Sequence, residues 1–182
     1  MPLYLAEILL TIFSFSMFIF VVLLGITFVY GLISGVPWVP SRSDTIRQML
    51  DLAGVKKGDK FADLGCGDGR MLFMAEKLGA RVYGYELALL AFLAAKLRKF
   101  FLGSNARIEF KSFFEINLEK FDVVALYLMP ETLEKLKPKL EKELKKGSRI
   151  VSHAFQIKGW KPIKKISRDS KNKANIFLYQ IN

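Results

Sequence analysis

Cysteine and histidine are nearly absent from this 182-residue chain: Cys66 and His153 are the only ones. A single thiol excludes an internal disulfide and any zinc site built on several thiolates. A single imidazole disfavours a histidine-based metal centre and a Ser-His-Asp triad. Several hydrolase and metalloenzyme classes drop out together, and no metal is expected. Acid is also scarce, with 17 Asp and Glu against 28 Lys and Arg and a net charge of +11. A basic surface suits an anionic membrane leaflet or nucleic acid. Charge alone does not choose between them.

The third absence is local. From Ile8 to Ser34 there is no charged side chain, and the stretch is dominated by Ile, Leu, Phe and Val. As a helix it would reach about 40 Å, enough to cross a hydrocarbon core of about 30 Å with some tilt. A buried core helix of that length would carry a polar stripe. A cleaved signal peptide would carry a positive n-region and a shorter apolar stretch, whereas Glu7 is the only early side-chain charge. The run reads as a retained single-pass anchor over 1–35, flanked by the interfacial aromatics Tyr4, Tyr30 and Trp38. Lys and Arg all follow the run, from Arg42 onward. The positive-inside rule then places the remainder, 36–182, on the cytoplasmic side of a membrane.

After the anchor, Val36-Pro37-Trp38-Val39-Pro40 is a stiff extended connector. Ser41 or Ser43 can cap a helix with Asp44 in its first turn, an apolar face of Ile46, Met49, Leu50 and Leu52, and an end at Gly54. Strands are then expected at 60–64, 81–87, 106–110, 121–128 and 148–154, and helices at 70–78, 88–101 and 131–146. The stretch 121–128, FDVVALYL, is apolar enough for a central strand covered on both faces. Lys164–Arg168 and Asn175–Gln180 are weaker strand candidates for a terminal hairpin, and Lys158–Lys173 reads as a basic surface loop. The alternation predicts an α/β domain with a mostly parallel sheet and helices on both faces.

One segment carries chemistry: Asp63-Leu64-Gly65-Cys66-Gly67-Asp68-Gly69-Arg70, between a strand and a helix. Glycines there let backbone approach a ligand, and the helix start offers unpaired N–H groups. Glu86, at the end of the next strand, stands where a Rossmann-type fold binds a ribose diol. The spacing separates two cofactors. A dinucleotide site wants G-x-G-x-x-G, but this loop is G-x-G-x-G and is led by the acid Asp63. An acid would repel a pyrophosphate and can hold a cationic amine. S-adenosylmethionine has an α-ammonium, a sulfonium and no phosphate, so the loop points to it over NAD.

The combination DLGCGDG and GYEL resembles class I S-adenosylmethionine-dependent methyltransferases. With Val39-Pro40-Ser41, FDVVALYLMPE and LEKELKKGSRIVSHAF, the chain from Val36 to about Pro162 further resembles the lysine methyltransferases of the ATP synthase c-subunit and the adenine nucleotide translocase, and their prokaryotic relatives. The resemblance implies a Rossmann-like domain and these roles. Gly65, Cys66, Gly67 and Gly69 line the methionine moiety, Cys66 as a small loop residue rather than a thiol, and Asp63 holds the amine. Glu86 binds the ribose hydroxyls, and Leu87 packs on the adenine. Ser112 and Phe113 lie near its amino group, where Lys111-Ser112 departs from the usual acid. Pro40 and Ser41 close over the cofactor, and Tyr127 and Pro130 border the transferable methyl.

The function expected is a membrane-anchored methyltransferase acting on a lysine of a membrane-associated protein. The alternative is a small-molecule or lipid-headgroup methyltransferase. A nucleic-acid acceptor is disfavoured, because Tyr127-Leu128-Met129-Pro130 stands where an N-P-P-Y motif would hold a flipped base.

Overall fold

The computed structural model describes residues 2–34, 41–167 and 175–182. The proline connector, Trp38 and Pro40 included, lies outside the described residues, as does the part of the basic stretch at 168–174. In chain order the elements are α1 (Pro2–Ser34), α2 (Ser43–Leu52), β1 (Lys60–Leu64), α3 (Arg70–Lys77), β2 (Arg81–Glu86), α4 (Leu89–Leu102) and β3 (Arg107–Phe110). A 3-10 turn (Phe113–Glu115) follows, then β4 (Val123–Leu126), α5 (Pro130–Glu143), β5 (Arg149–His153), β6 (Lys164–Ile166) and β7 (Ile176–Gln180).

The seven strands form one sheet in the order β3-β2-β1-β4-β5-β7-β6. β1 to β5 are parallel, and β7 runs antiparallel between β5 and β6. β4 sits at the centre of the order with every residue buried. Its side chains alternate between two cores, as a strand period of two requires. Val123 and Ala125 join Ile46 and Met49 of α2, Leu72 of α3 and Ala95 of α4. Val124 and Leu126 join Leu133, Leu136 and Leu140 of α5. Each such Leu or Met taken from water contributes roughly 1.5–3 kcal/mol. Arg149 ties α2 to the sheet: its Nη1 donates to the carbonyls of Ala53 and Gly54 at 2.6 Å each, and its Nη2 to Asp59 at 2.7 Å. A cation at a helix C-terminus is favourably placed.

Several boundaries differ from the sequence reading. α2 is capped by neither serine: Arg42 is the N-cap, in extended conformation and without a side-chain cap bond. Asp44 instead accepts from the Thr45 amide at 2.8 Å. The fourth strand is four residues rather than eight: it starts at Val123, after Asp122, whose carboxylate accepts from Lys60 N and pairs with Lys145, and it ends at Leu126. The second strand stops at Glu86, one residue short, because the Glu86 side chain takes the next two amides. Within the basic stretch 158–173, residues 164–166 form β6, so that stretch is not loop throughout. Trp160 is half-buried against Tyr179, with ring centroids 5.6 Å apart, and donates to Glu141.

α1 has 33 residues, about 50 Å as an α-helix. Its segment Tyr4–Ile26 has a mean hydropathy of 2.6, and none of it is buried against the rest of the chain. It is therefore not a core helix, and it is long and apolar enough to cross a membrane.

Candidate active site

Strand register assembles the site. Leu64 of β1 pairs with Tyr85 of β2 and with Leu126 of β4, and Leu126 pairs with Ser152 of β5. One residue further on, Gly65, Glu86, Tyr127 and His153 stand along the carboxyl edge of the sheet. The strand order reverses between β1 and β4, and such a switch point opens a crevice at that edge.

The loop after β1 is shaped by its glycines. Gly65, Gly67 and Gly69 have φ of 87°, 55° and 76°, where a side chain is strained. Gly65 and Cys66 amides donate to the Tyr85 carbonyl at 2.9 and 3.1 Å. Glu86 locks the other side: its Oε2 accepts from the Gly67 amide at 2.8 Å, and its Oε1 from the Leu87 and Ala88 amides at 2.8 and 2.7 Å. A carboxylate oxygen can accept two bonds, so Oε2 keeps capacity for a ligand hydroxyl. The Cys66 side chain turns down into the core beside Leu72. Burial, then Asp63 and Glu86, push its thiol well up, which makes it unreactive.

Asp63 is the anomaly of the site. It is buried at the end of β1, and no hydrogen-bond donor among the described residues meets its carboxylate. Burial first, then the charges of Glu86 and Asp68, push its pKa well above the ordinary value. A buried acid of this kind is stabilised by a cation that enters beside it. Asp68 behaves oppositely. Burial raises it, but the Arg70 hydrogen bonds and the charges of Arg70 and Arg98 outweigh that and hold it below the usual range. Arg70 Nη2 and Arg98 Nη1 lie 2.7 and 2.8 Å from Asp68 Oδ2. Arg70 Nη1 also donates to the Ser41 carbonyl at 3.0 Å, which brings the segment before α2 to the loop. Asp68 is thus a structural anchor, a role the sequence reading missed. Arg70, two residues on, was a readable signal; Arg98, on α4, was not.

Ser112, Phe113, Tyr127 and Pro130 follow β3 and β4 at the same edge, and Pro40 lies outside the described residues. Ser112 and Phe113 follow β3, whose Phe110 pairs with Glu86. The Ser112 hydroxyl accepts from the Phe114 amide, and the Phe113 ring is buried in the second core. Pro130 is the first residue of α5, where its fixed φ and missing N–H are suited. Tyr127 packs on His153 with ring centroids 4.1 Å apart and the planes tilted by 47°. Burial lowers the His153 pKa from 6.5 to about 4, and its Nδ1 is buried without a partner. The unfolded chain therefore binds a proton that the folded one does not. Stability from this group is intact above pH 6.5 and is lost as the pH falls toward about 4. His153→Leu is expected to flatten that acid limb of the urea midpoint against pH.

The residues fit S-adenosylmethionine: a buried acid, Asp63, that no donor among the described residues meets, for an ammonium; an acceptor oxygen at the end of β2 for a ribose hydroxyl; and a glycine loop without cationic side chains aimed at phosphates. Comparison with known proteins agrees. Residues 63–164 match the ANTKMT methyltransferase domain. The chain belongs to this methyltransferase family. A protein-lysine N-methyltransferase of Saccharolobus islandicus is 38% identical over 151 residues, covering 80% of this chain and 94% of the relative. The adenine nucleotide translocase lysine N-methyltransferase of Mus musculus is 33% identical over 131 residues, 70% of this chain and 57% of that one. Among solved structures, an RNA methyltransferase from Salinibacter ruber in complex with S-adenosyl-L-homocysteine aligns with a TM-score of 0.74 and 30% identity, over 79% of this chain and 94% of that one. The chain is an S-adenosylmethionine-dependent methyltransferase with a class I, Rossmann-like fold.

Proposed function

We propose that this methyltransferase acts on a lysine of a membrane-associated protein, from a position held by α1 as a single-pass anchor. The observation that carries the lysine is the 38% identity to a protein-lysine N-methyltransferase across nearly all of that relative. The observation that supports the membrane is α1 itself, together with a relative whose name gives a translocase as its acceptor. The Lys and Arg that follow α1 favour the cytoplasmic side for the catalytic domain.

When bound, S-adenosylmethionine supplies a methyl group already activated on a sulfonium. Most of the protein's task is then positioning. Asp63 would hold the ammonium, Glu86 a ribose hydroxyl, and the glycine loop would let the cofactor lie between them. Leu87, Ser112 and Phe113 would border the adenine end, and Ser41 the mouth. Tyr127, with His153 behind it and Pro130 beyond it, borders the acceptor. The acceptor amine has to be neutral. The buried His153, held neutral by desolvation, and the Tyr127 ring against it disfavour an ammonium there, so no dedicated base is required of these residues.

Full-length protein incubated with methyl-labelled cofactor and membranes is expected to put label on lysine, in material that organic solvent leaves behind. Label partitioning into solvent would assign a lipid headgroup instead. Label confined to RNA, the acceptor in the name of the Salinibacter structure, would overturn the lysine reading.

A further inference from the structure

α4 is amphipathic in the reverse sense for a surface helix. Its inward face is made of the small residues Ala91 and Ala95, which let the helix approach the loop at Gly69 closely. Apart from Phe92, which packs on the core, its most exposed side chains are large and apolar. Leu89, Leu93, Leu97, Phe100 and Phe101 recur at helical spacing along one side, and the last three are 59%, 79% and 75% exposed with α1 in place. At the neighbouring edge of the sheet, Phe110 is exposed and packs on Phe92 at 5.4 Å. Scattered exposed apolar residues are ordinary, but a contiguous patch of this kind marks a surface that another body covers.

We propose that this face of α4 lies on an anionic bilayer surface and seats the catalytic domain against the membrane. Two observations select a bilayer. The patch carries cations on its own helix: Lys96 is exposed beside it, with Nζ 6.0 Å over the Phe92 ring, and Lys99 is half-buried one turn on. An apolar face with a basic margin is the pattern of a helix lying in a membrane interface. The second observation is continuity, since α1 comes into contact with α4 without being buried by it. If α1 crosses the bilayer, a helix touching it has its outward face at the lipid boundary. The proposal rests on that reading of α1. Its consequence is positional: Glu86 to Ala88, which wall the site, lead directly into α4, so seating α4 holds the mouth of the site near the membrane plane.

The test uses the full chain reconstituted in phosphatidylcholine vesicles containing phosphatidylglycerol. Leu97→Cys, Phe101→Cys and, on the opposite face, Lys135→Cys are each labelled with an environment-sensitive fluorophore. Cys66 is buried and stays unlabelled. The labels at 97 and 101 are expected to shift to the blue and to be quenched by lipid-borne nitroxide, and the label at 135 to do neither. In a second arm, Leu93→Glu with Leu97→Glu is expected to lower methylation of a membrane-embedded acceptor about tenfold, by loss of effective concentration, and to leave the rate on a soluble lysine peptide unchanged. Labels at 97 and 101 as wet as at 135, in a chain that resists carbonate extraction, would overturn the seating and leave the anchor standing. A blue shift that depends on protein concentration and ignores the lipid quencher would replace the bilayer by a second copy. A chain that carbonate removes would overturn the anchor reading, and the seating with it.

Discussion

Asp63→Asn is expected to weaken S-adenosylmethionine binding about 100-fold, which is about 2.7 kcal/mol, while leaving the cofactor-free protein at least as stable as the parent. The two halves have one cause. Asp63 is buried beside Glu86 and Asp68 with its pKa pushed well up, so an ionised carboxylate there is unfavourable until a cation arrives. A charge-assisted hydrogen bond contributes roughly 1.5–3 kcal/mol, and the buried partner left alone adds to the loss. Asparagine keeps the shape and removes both the penalty and the attraction. The pH dependence follows with a definite sign. The folded acid holds its proton more tightly than the unfolded one. Its contribution to stability is therefore largest below the ordinary value of 3.8 and declines as the pH rises toward the raised folded value. In Asp63→Asn that decline disappears. Calorimetric titration with cofactor, beside thermal unfolding with and without it, reads all of this. Unchanged affinity with lower stability would make Asp63 a framework residue and remove it from the site.

This carboxylate also shows what sequence could and could not convey. The glycine spacing and the acid before it were legible because positive φ is a local demand that glycine meets locally: Gly65, Gly67 and Gly69 all adopt it. The strands were legible as apolar runs, and the central place of β4 followed from its lacking any polar face. Their ends were not. β4 starts only after Asp122, which bonds to Lys60, a partner 62 residues away, and Glu86 ends β2 by folding its side chain onto Gly67, Leu87 and Ala88. No periodicity carries either event. The Tyr127–His153 ring contact and the Asp68–Arg98 pair are likewise products of register, made when β4 meets β5 and when α4 meets the loop. α4 was legible as a helix, but which of its sides faces inward was not. The small residues won the inner face because the loop at Gly69 leaves space only for a methyl group.

The second large effect is expected at Gly84, within β2, where space rather than φ requires glycine. Gly84 pairs with Asp63 on one side and Ile108 on the other. A Cβ at this position would stand 2.4 Å from Leu72 Cδ1, 2.8 Å from Cys66 Sγ and 3.1 Å from Cys66 Cβ. Leu72 is fully buried and Cys66 nearly so, so neither has somewhere to go. Overpacking a core costs about 1–3 kcal/mol, and a domain of this size loses about 2–4 °C per kcal/mol. Gly84→Ala should therefore lower Tm by about 5–10 °C, and Gly84→Val by more. The damage should not stop at stability. Cys66 sits between two of the loop glycines, and its amide is bonded to Tyr85. A displaced Cys66 therefore moves the cofactor loop, and affinity should fall with Tm. A double-mutant cycle separates this from a general loss of packing. Cys66→Ala removes the sulfur that the new methyl meets. It should then cost less in the Gly84→Ala background than in the parent, by about 1 kcal/mol, and should restore part of the cofactor affinity. Strict additivity would mean that Leu72 alone takes the strain. The loop would then be insulated from the strand beneath it, and the small Cys66 side chain would have no part in shaping the site.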